Sequence, residues 1–403
     1  MSALDGVRVV EVAQWAFVPS AAALLADLGA DVVKIEHPTL GDPYRGLVTA
    51  GFAPAADGVN GIVEQSNRGK RSVGLDIAND AGRALLDRLI DTADVFLTSF
   101  LPDACQRLGI DAASVQQRNP RVIYARGHGQ GARGPDATRG AYDSTSFWAR
   151  GGVGRLLGPA DETGIAEPRL AMGDRASATS LAFGITAALL QRERTGEGAV
   201  VDASLLATAM WLVSSDIVST GLVGEEPRRR RNRYEAPNPI VGAYRTADGR
   251  WLSLNLFESD YWWPLLCERI GRADLVTDAR FVDASQRQQH AEAAIRALED
   301  TFATRTLDEW RTCLADQLWI WSPVQTLGEL LDDPQVAANG YVQEVEVASG
   351  ASVRLVAGPA QIDGVPPVLG RAPEHGEHTE EVLLELGLSW AEIVAAKEHG
   401  AIV

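Results

Sequence analysis

The chain has few cysteines and a shortage of positive charge. Three cysteines occur in 403 residues, at Cys105, Cys267 and Cys313. Their spacing gives neither a disulfide framework nor a CxxC metal motif, and a reducing cytoplasm is the compartment we expect. Lys and Arg number 37 against 54 Asp and Glu, a net charge of −17. Because such a field repels polyanions, we expect no nucleic-acid and no membrane partner, and an anionic ligand needs a local basic cluster.

Two further signals are missing. No stretch reaches the roughly 18 apolar residues of a membrane span, and the start, "MSALDGVRVVEVAQWAF", lacks the basic and apolar segments of a signal peptide. The first β-α turn, "EVAQWAFVPSA", contains no GxGxxG. The fingerprint of an NAD-dependent enzyme is therefore absent.

Short β-branched runs alternate with helical patterns over the first two hundred residues. The runs "VRVVEVA", "DVVKIEHP", "RSVGLDI", "DVFLTSF", "RVIYARG" and "AVVDASL" read as strands. The segments "PSAAALLADLGA" and "NDAGRALLDRLIDTA" read as helices, the second with Asn79 as its N-cap. This alternation predicts an α/β fold, a parallel sheet with helices on its faces.

The composition changes after residue 223. "GEEPRRRRNRYEAPNP" is dense in charge and contains proline, as linkers do. Beyond it we expect a hairpin around Asp248-Gly249, helices to about residue 340, a second hairpin in "EVEVASGASVRLVAG" and two short helices. The length and this shift predict two domains joined by a linker at 221–238.

Motifs along nearly the whole chain carry a family resemblance. In order they are "LLADLGADVVKIE", "NRGKRSVGLDI", "NPRVIYARGHGQGARGP", "YDSTSFWARGG", a "GD" before a small-residue helix, "RERTGEGAVVDASLL" and "GEHTEEVLLELG". Together they resemble the family III CoA-transferases, which include formyl-CoA and carnitine CoA-transferases and the α-methylacyl-CoA racemases. The resemblance implies a Rossmann-like large domain (1–220 with a return segment, 341–403), a smaller α+β domain (239–340) and an interlocked homodimer.

Asp174, in "AMGDRASATS", has two interpretations. By spacing alone it is the N-cap of the helix that follows. In the family that this chain resembles, the aspartate of the GD motif is the nucleophile, which makes Asp174 the candidate catalytic residue. We expect the helix dipole to keep its carboxylate ionised for attack on a thioester. The small residue before it, Gly173, would let substrate approach closely.

The resemblance implies transfer of CoA from an acyl-CoA donor to a free carboxylate through an aspartyl-CoA thioester. Coenzyme A is then a co-substrate, and neither a metal nor another cofactor is needed because a thioester is already activated. The racemase branch of the family uses a histidine where this chain has Tyr142, and a phenol suits proton abstraction poorly. A racemase with atypical bases, or a catalytically silent CoA-binding subunit, remains an alternative. His128 is a candidate substrate-lining residue on a loop after a strand.

Four basic residues are candidates to bind the phosphates of CoA. Arg68, Lys70 and Arg71 lie in "NRGKRS", and Arg107 matches a CoA-contacting arginine of formyl-CoA transferase. Phosphates favour such charge-assisted donors. The alternative interpretation is that these four residues form a solvent-exposed charged edge of the protein.

At five positions near the expected CoA site, the residues of this chain can be compared with the family pattern. Ala16, beside Trp15, stands where formyl-CoA transferase has a CoA-contacting glutamine; both are candidate CoA neighbours. His37 follows the "KIE" strand where the family often has arginine, and Ser99 and Leu101 alter its frequent "NFRPG". These departures argue against an oxalate-type substrate.

Overall fold

The computed structural model describes residues 2–56, 58–158, 164–225, 232–316 and 318–403. It divides the chain into two compact units. The first comprises the described residues of Met1–Glu226 together with Pro334–Val403, and the second the described residues of Pro227–Asp333. Residues 226–231, within the predicted linker, lie outside the described part.

A six-stranded parallel sheet organises the first unit, as the alternating sequence pattern predicts. Its order, β3-β2-β1-β4-β5-β6, reverses direction beside β1, the arrangement of a Rossmann-like sheet. The central strand pairs Val9 with Val32 on one side and with Val95 on the other. The strands are β1 (Arg8–Val12), β2 (Asp31–Glu36), β3 (Arg71–Gly74), β4 (Val95–Thr98), β5 (Ile123–His128) and β6 (Ala199–Ser204).

Helices cover both faces of this sheet. Asn79 caps α3 through its side-chain oxygen, which confirms the predicted start of that helix. A 3₁₀ turn (Pro43–Leu47) and a π-helix (Ser144–Arg150) interrupt the series. The α-helices up to residue 225 are α1 (Phe17–Asp27), α2 (Gly61–Asn67), α3 (Asp80–Thr92), α4 (Pro102–Leu108), α5 (Ala112–Arg118), α6 (Val153–Leu157), α7 (Met172–Thr195), α8 (Leu205–Leu212) and α9 (Ser214–Val223).

Each face of the sheet has its own apolar core. Val9 and Leu97 pack toward α1 and α7, with Phe17, Ile185 and their neighbours. Val10 on the other face packs against residues of α3 and the end of the chain. Strands buried on both faces explain the nearly continuous apolar runs in the sequence.

A cluster of buried charged side chains lies where β1 and β2 meet the start of β3. Glu11 lies opposite Lys34 in the register of β1 and β2, and Lys34 Nζ donates to Glu11 Oε1 at 2.8 Å and lies 2.9 Å from Asp42 Oδ2. Lys70 Nζ donates to Glu11 Oε2 at 2.6 Å. Burial alone raises the pKa of Glu11, but the two lysines outweigh it and hold that pKa below its usual value. Burial lowers the pKa of Lys70 to about 8.

The second unit combines a small antiparallel sheet with helices around an aromatic core. The predicted hairpin around Asp248-Gly249 is present as β7 and β8. Trp263 and Trp310 are fully buried and donate their indole N–H to main-chain carbonyls. The elements are β7 (Val241–Arg245), β8 (Trp251–Asn255), α10 (Ser259–Arg269), α11 (Asp274–Thr277), α12 (Ala284–Gln289), α13 (Ala291–Phe302), α14 (Leu307–Cys313), β9 (Trp321–Pro323) and α15 (Leu327–Leu331).

The end of the chain returns to the first unit. Leu75, just after β3, forms a bridge with Ile402, and Gly74 N–H donates to Thr379 Oγ1 at 3.0 Å. Residues 334–340, which we expected in the smaller domain, belong to this unit. The returning elements are α16 (Pro334–Ala338), β10 (Val342–Glu346), β11 (Ser352–Val356), α17 (Thr379–Glu385) and α18 (Trp390–Glu398).

Within the described ranges, no single helix is long and apolar enough to cross a membrane. The helices α8 and α9 reach the length and apolar composition of a membrane span only if they are counted together, and they are bent by 70° relative to each other.

Candidate active site

Asp174 lies in the first turn of α7, but it is not the N-cap. The helix begins at Met172, and the capping position is Ala171, whose φ of 56° is left-handed and whose side chain cannot accept a hydrogen bond. The interpretation of Asp174 as a helix cap is therefore wrong. Its carboxylate is partly buried and makes no hydrogen bond with the described residues.

Asp143 supplies the missing cap from the segment before the π-helix. Its Oδ2 accepts hydrogen bonds from Gly173 N–H at 2.8 Å and from Asp174 N–H at 3.2 Å. A Cβ on Gly173 would lie 2.3 Å from the ring of Phe147, so only glycine permits this close packing. Sequence reasoning missed Asp143. The only signal was an acid inside the family motif "YDSTSF".

The electrostatic setting of Asp174 differs from what we expected. Burial, and then the charge of Asp143, raise the pKa of Asp174 to about 7, while Arg175 acts in the opposite direction. We expected the helix dipole to keep this carboxylate ionised, but burial and the charge of Asp143 act more strongly in the opposite direction. Asp143 also accepts hydrogen bonds from the first N–H groups of the helix.

Trp15 and Tyr142 form an aromatic pair in the same unit. Their ring centroids are 5.3 Å apart in an edge-to-face arrangement, and Tyr142 is 57% exposed. Trp15 has a left-handed φ of 72°, and its N–H donates to Asp42 Oδ1 at 3.1 Å. It packs with Ala16, which is buried, and with Ala171. The structure therefore brings the loop of Trp15 to the start of α7.

Three of the four basic candidates already bind carboxylates of their own chain. Arg68 pairs with Asp27 at 2.6 Å, and its side chain is 3% exposed. Lys70 uses all three ammonium hydrogens on Glu11 and two other acceptors, and Arg71 binds Asp31, Glu381 and Glu385. Their role in CoA binding stays a prediction, and their contacts in the structure are those of fold-stabilising ion pairs.

Arg107 is exposed near the end of α4. The next residue, Leu108, lines a cavity at the carboxyl ends of the strands, together with Gln14, His37 and Phe100. The volume is about 240 Å³. In Rossmann-like sheets, ligands bind in this crevice where the strand order reverses.

His128 is the last residue of β5 rather than part of a loop. Its Nε2 lies 3.0 Å from Asp202 Oδ1, and Arg126 binds the same carboxylate. Burial alone would raise the pKa of Asp202, but the hydrogen bonds from His128 and Arg126 hold it below its usual range. In the part of the chain that the structure describes, no group of three His, Cys, Asp or Glu side chains is placed to hold a metal ion.

The first unit thus combines a Rossmann-like sheet, Asp174 of the GD motif and the loop that contains Trp15. The sequence model of CoA-transferase family III matches residues 4–379. The chain belongs to this family. It is accordingly an enzyme that acts on an acyl-CoA and a carboxylate, and the resemblance in its motifs is confirmed.

Relatives and a solved structure cover almost the entire chain. The (R)-2-hydroxy-4-methylpentanoate CoA-transferase of Clostridioides difficile is 32% identical over 387 residues, 95% of each chain. The cinnamoyl-CoA:phenyllactate CoA-transferase of Clostridium sporogenes is 30% identical over 96% of this chain and 94% of that one. A crystal structure of a CAIB/BAIF family protein from Brucella suis aligns with a TM-score of 0.82, at 27% identity, over 96% of this chain and 99% of that one.

The raised pKa of Asp174 predicts that this residue lowers the stability of the family III CoA-transferase at neutral pH. A group whose pKa is higher in the folded state stabilises the fold only at low pH, and that contribution is lost as the pH rises to about 7. We expect Asp174→Asn to be more stable than wild type by about 1 to 3 kcal/mol at pH 8. The gain should shrink toward pH 4.

Urea unfolding at several pH values measures this difference. Asp80→Asn, at an exposed acid in the first turn of α3, is the matched control and should show no such gain. An Asp174→Asn difference that is the same at every pH contradicts the prediction.

Proposed function

We propose that this enzyme moves CoA from an acyl-CoA donor to a free carboxylate through a covalent aspartyl-CoA thioester on Asp174. The observation that carries the proposal is the state of that carboxylate. It has no hydrogen-bond partner among the described residues, and its pKa is raised to about 7. A carboxylate of this basicity is a stronger nucleophile than an ordinary aspartate and is still substantially ionised at neutral pH.

The exchange takes four displacements at acyl carbons. An Asp174 oxygen attacks the donor thioester, the C–S bond breaks, and CoA leaves as thiolate from a mixed anhydride. The thiolate then attacks the aspartyl carbonyl, and the donor acid leaves as a carboxylate. The acceptor carboxylate attacks the aspartyl thioester and releases the thiolate again, which attacks the acyl carbon of the second anhydride. Asp174 is regenerated with the new acyl-CoA, and no electron is gained or lost.

The cavity at the carboxyl ends of the strands supports a position for the nucleotide end of CoA. It is lined by Gln14, adjacent to Trp15, and by Leu108, which the exposed Arg107 precedes in the chain. A guanidinium there suits a phosphate on a protein of net charge −17. We propose that Arg107 binds a CoA phosphate, and that coenzyme A, as co-substrate, is the only cofactor-like group required.

The contacts of Tyr142 favour transfer over racemisation. The phenol occupies the position where a racemase of the family would have its histidine, and its ring packs edge-on against Trp15. A histidine base for removal of the α-proton of an acyl-CoA is thus missing from the position where the racemase motif has one. Racemisation remains the second candidate function.

An apolar surface supports the proposal of a homodimer. α9 buries none of its residues within the single chain. Leu222 is 82% exposed, Trp211 on α8 is 76% exposed and Phe183 on α7 is 75% exposed. Exposed apolar groups on this scale mark a protein interface. We propose that the faces of α7, α8 and α9 carrying these residues pack against a second copy, in the interlocked manner that the family resemblance implies.

Asp174 should become covalently attached to CoA. We expect enzyme mixed with a donor acyl-CoA to show a CoA adduct on the peptide containing "AMGDR" by mass spectrometry, and hydroxylamine to convert Asp174 to a hydroxamate. The names of the two relatives make branched and aromatic 2-hydroxy acids the first acceptors to test.

Asp174→Ala and Asp174→Asn should abolish exchange and leave CoA binding nearly unchanged, since the capping acid is Asp143. Asp80→Ala serves as the control. Transfer by Asp174→Ala within tenfold of the wild-type rate would sink the proposed mechanism.

Racemisation is tested by isotope exchange. We expect a chiral 2-methylacyl-CoA incubated with the enzyme in deuterated water to keep its α-hydrogen, because Tyr142 replaces the histidine base. Proton NMR or mass spectrometry of the recovered thioester measures the label. Rapid uptake of deuterium would establish the racemase alternative.

The dimer is tested by sedimentation velocity. We expect a dimeric mass even in submicromolar solution, because an interlocked chain has no stable monomer. Trp211→Glu should reduce the yield of dimer, while Trp390→Glu, at an exposed tryptophan on α18, should not. A stable monomeric wild type contradicts the proposal.

A further inference from the structure

Arg175 follows the proposed nucleophile on α7 and reaches between α1 and α2. Its Nη1 donates to Ser20 Oγ at 2.9 Å and its Nη2 donates to Ser66 Oγ at 3.0 Å. Nη1 also lies 3.5 Å from the carbonyl oxygen of Gln65. Both serines are buried. All of these partners are neutral, and Arg175 forms no ion pair with a carboxylate of the described residues.

Arg175 is half-buried, and two more deeply buried arginines of the same unit are arranged differently. Arg68 pairs with Asp27, and Arg192, at the far end of α7, pairs with Asp94 at 2.9 Å. A guanidinium withdrawn from water without an opposite charge is costly to the fold. Burial accordingly lowers the pKa of Arg175. Unfavourable burial of an unpaired charge is common at functional sites, where the charge acts on a neighbouring functional group.

The charged and titratable groups around the pair come from several elements. Asp143, before the π-helix, adds a negative charge that disfavours ionisation of Asp174. Arg175 is the positive group that favours it. Tyr44, from the 3₁₀ turn, and Arg68, after α2, also face Arg175. Among the described residues, Arg175 is therefore the cation that favours the anion of Asp174, against the effects of burial and of a second carboxylate.

We propose that Arg175 is a positioning residue whose guanidinium, fixed by Ser20 and Ser66, favours the anionic form of the Asp174 carboxylate that attacks the thioester. This inference rests on the proposed function, in which Asp174 is the nucleophile. Arg175 touches neither substrate nor the reacting atoms in this role. Its contribution is electrostatic, so it should appear in the pH dependence of the reaction and not only in its rate.

Removing the positive charge should move the acidic limb of the kcat/KM profile to higher pH. The active form of Asp174 is the anion. Without the positive charge of Arg175, ionisation of Asp174 requires a higher pH. We expect a shift of about one pH unit for Arg175→Gln and Arg175→Met, and about a tenfold loss of kcat/KM on the acidic side. Arg175→Lys, which retains the charge, should restore most of the wild-type limb.

Arg192→Gln is the matched control, because it removes a buried and paired arginine from the same helix. We expect it to lower thermal stability and leave the acidic limb in place. Thermal unfolding identifies which of the Gln and Met variants is folded, and either folded variant is sufficient for the test. Folded Arg175 variants whose acidic limb coincides with that of wild type would overturn the inference.

A second measurement separates this inference from the proposed function. Infrared spectra of protein labelled with ¹³C-aspartate, with Asp174→Asn used to assign the band, follow the ionisation of Asp174 without turnover. If the wild type forms the CoA adduct but Arg175→Gln leaves this titration unchanged, only the role of Arg175 fails. If the titration moves to higher pH but no adduct forms, the role of Arg175 in the ionisation stands and the proposed mechanism fails.

Discussion

The carboxylate of Asp143 fixes the first turn of α7, and the candidate site is arranged around that contact. Ala171 cannot cap the helix, and Gly173 must come within contact distance of Phe147. Asp143 satisfies the N–H groups of Gly173 and Asp174 and in doing so brings a second negative charge beside Asp174. The same interaction therefore builds the helix start and makes its aspartate unusually basic. The contact that stabilises the start of the helix therefore disfavours the ionised form of Asp174, a conflict that is common at functional sites.

A chain of polar contacts links this site to the centre of the sheet. Glu11 and Lys34 are buried between adjacent strands, and Lys34 also binds Asp42. Asp42 in turn accepts the N–H of Trp15, a residue with left-handed backbone. The loop that approaches α7 is thus tied to buried ionic groups rather than to surface contacts. Lys70, which the sequence offers as a candidate for binding CoA, makes its contacts in the structure to this buried cluster.

The sequence was sufficient where the signals are local. Alternating β-branched and helical segments predicted the parallel sheet, and Asn79 predicted a helix start because its side chain bonds the next turn. The GD motif identified Asp174 through the family resemblance. Ion-pair partners could not be predicted in this way, since Arg71 meets Glu385 from 314 residues away. Asp143 escaped notice for the same reason: its partners on α7 lie 30 and 31 residues further along the chain.

The return of the chain to β3 has a consequence for how the protein is made. Leu75 forms a bridge with Ile402, and Val403 N–H donates to the carbonyl oxygen of Gly74. During synthesis from the amino terminus, the outer edge of β3 therefore stays open until the residues around 400 have been made. Contacts across more than three hundred residues also slow folding, because a long loop must close before they form. Until that segment arrives, the nascent chain presents an open strand edge, and such edges can pair with other chains.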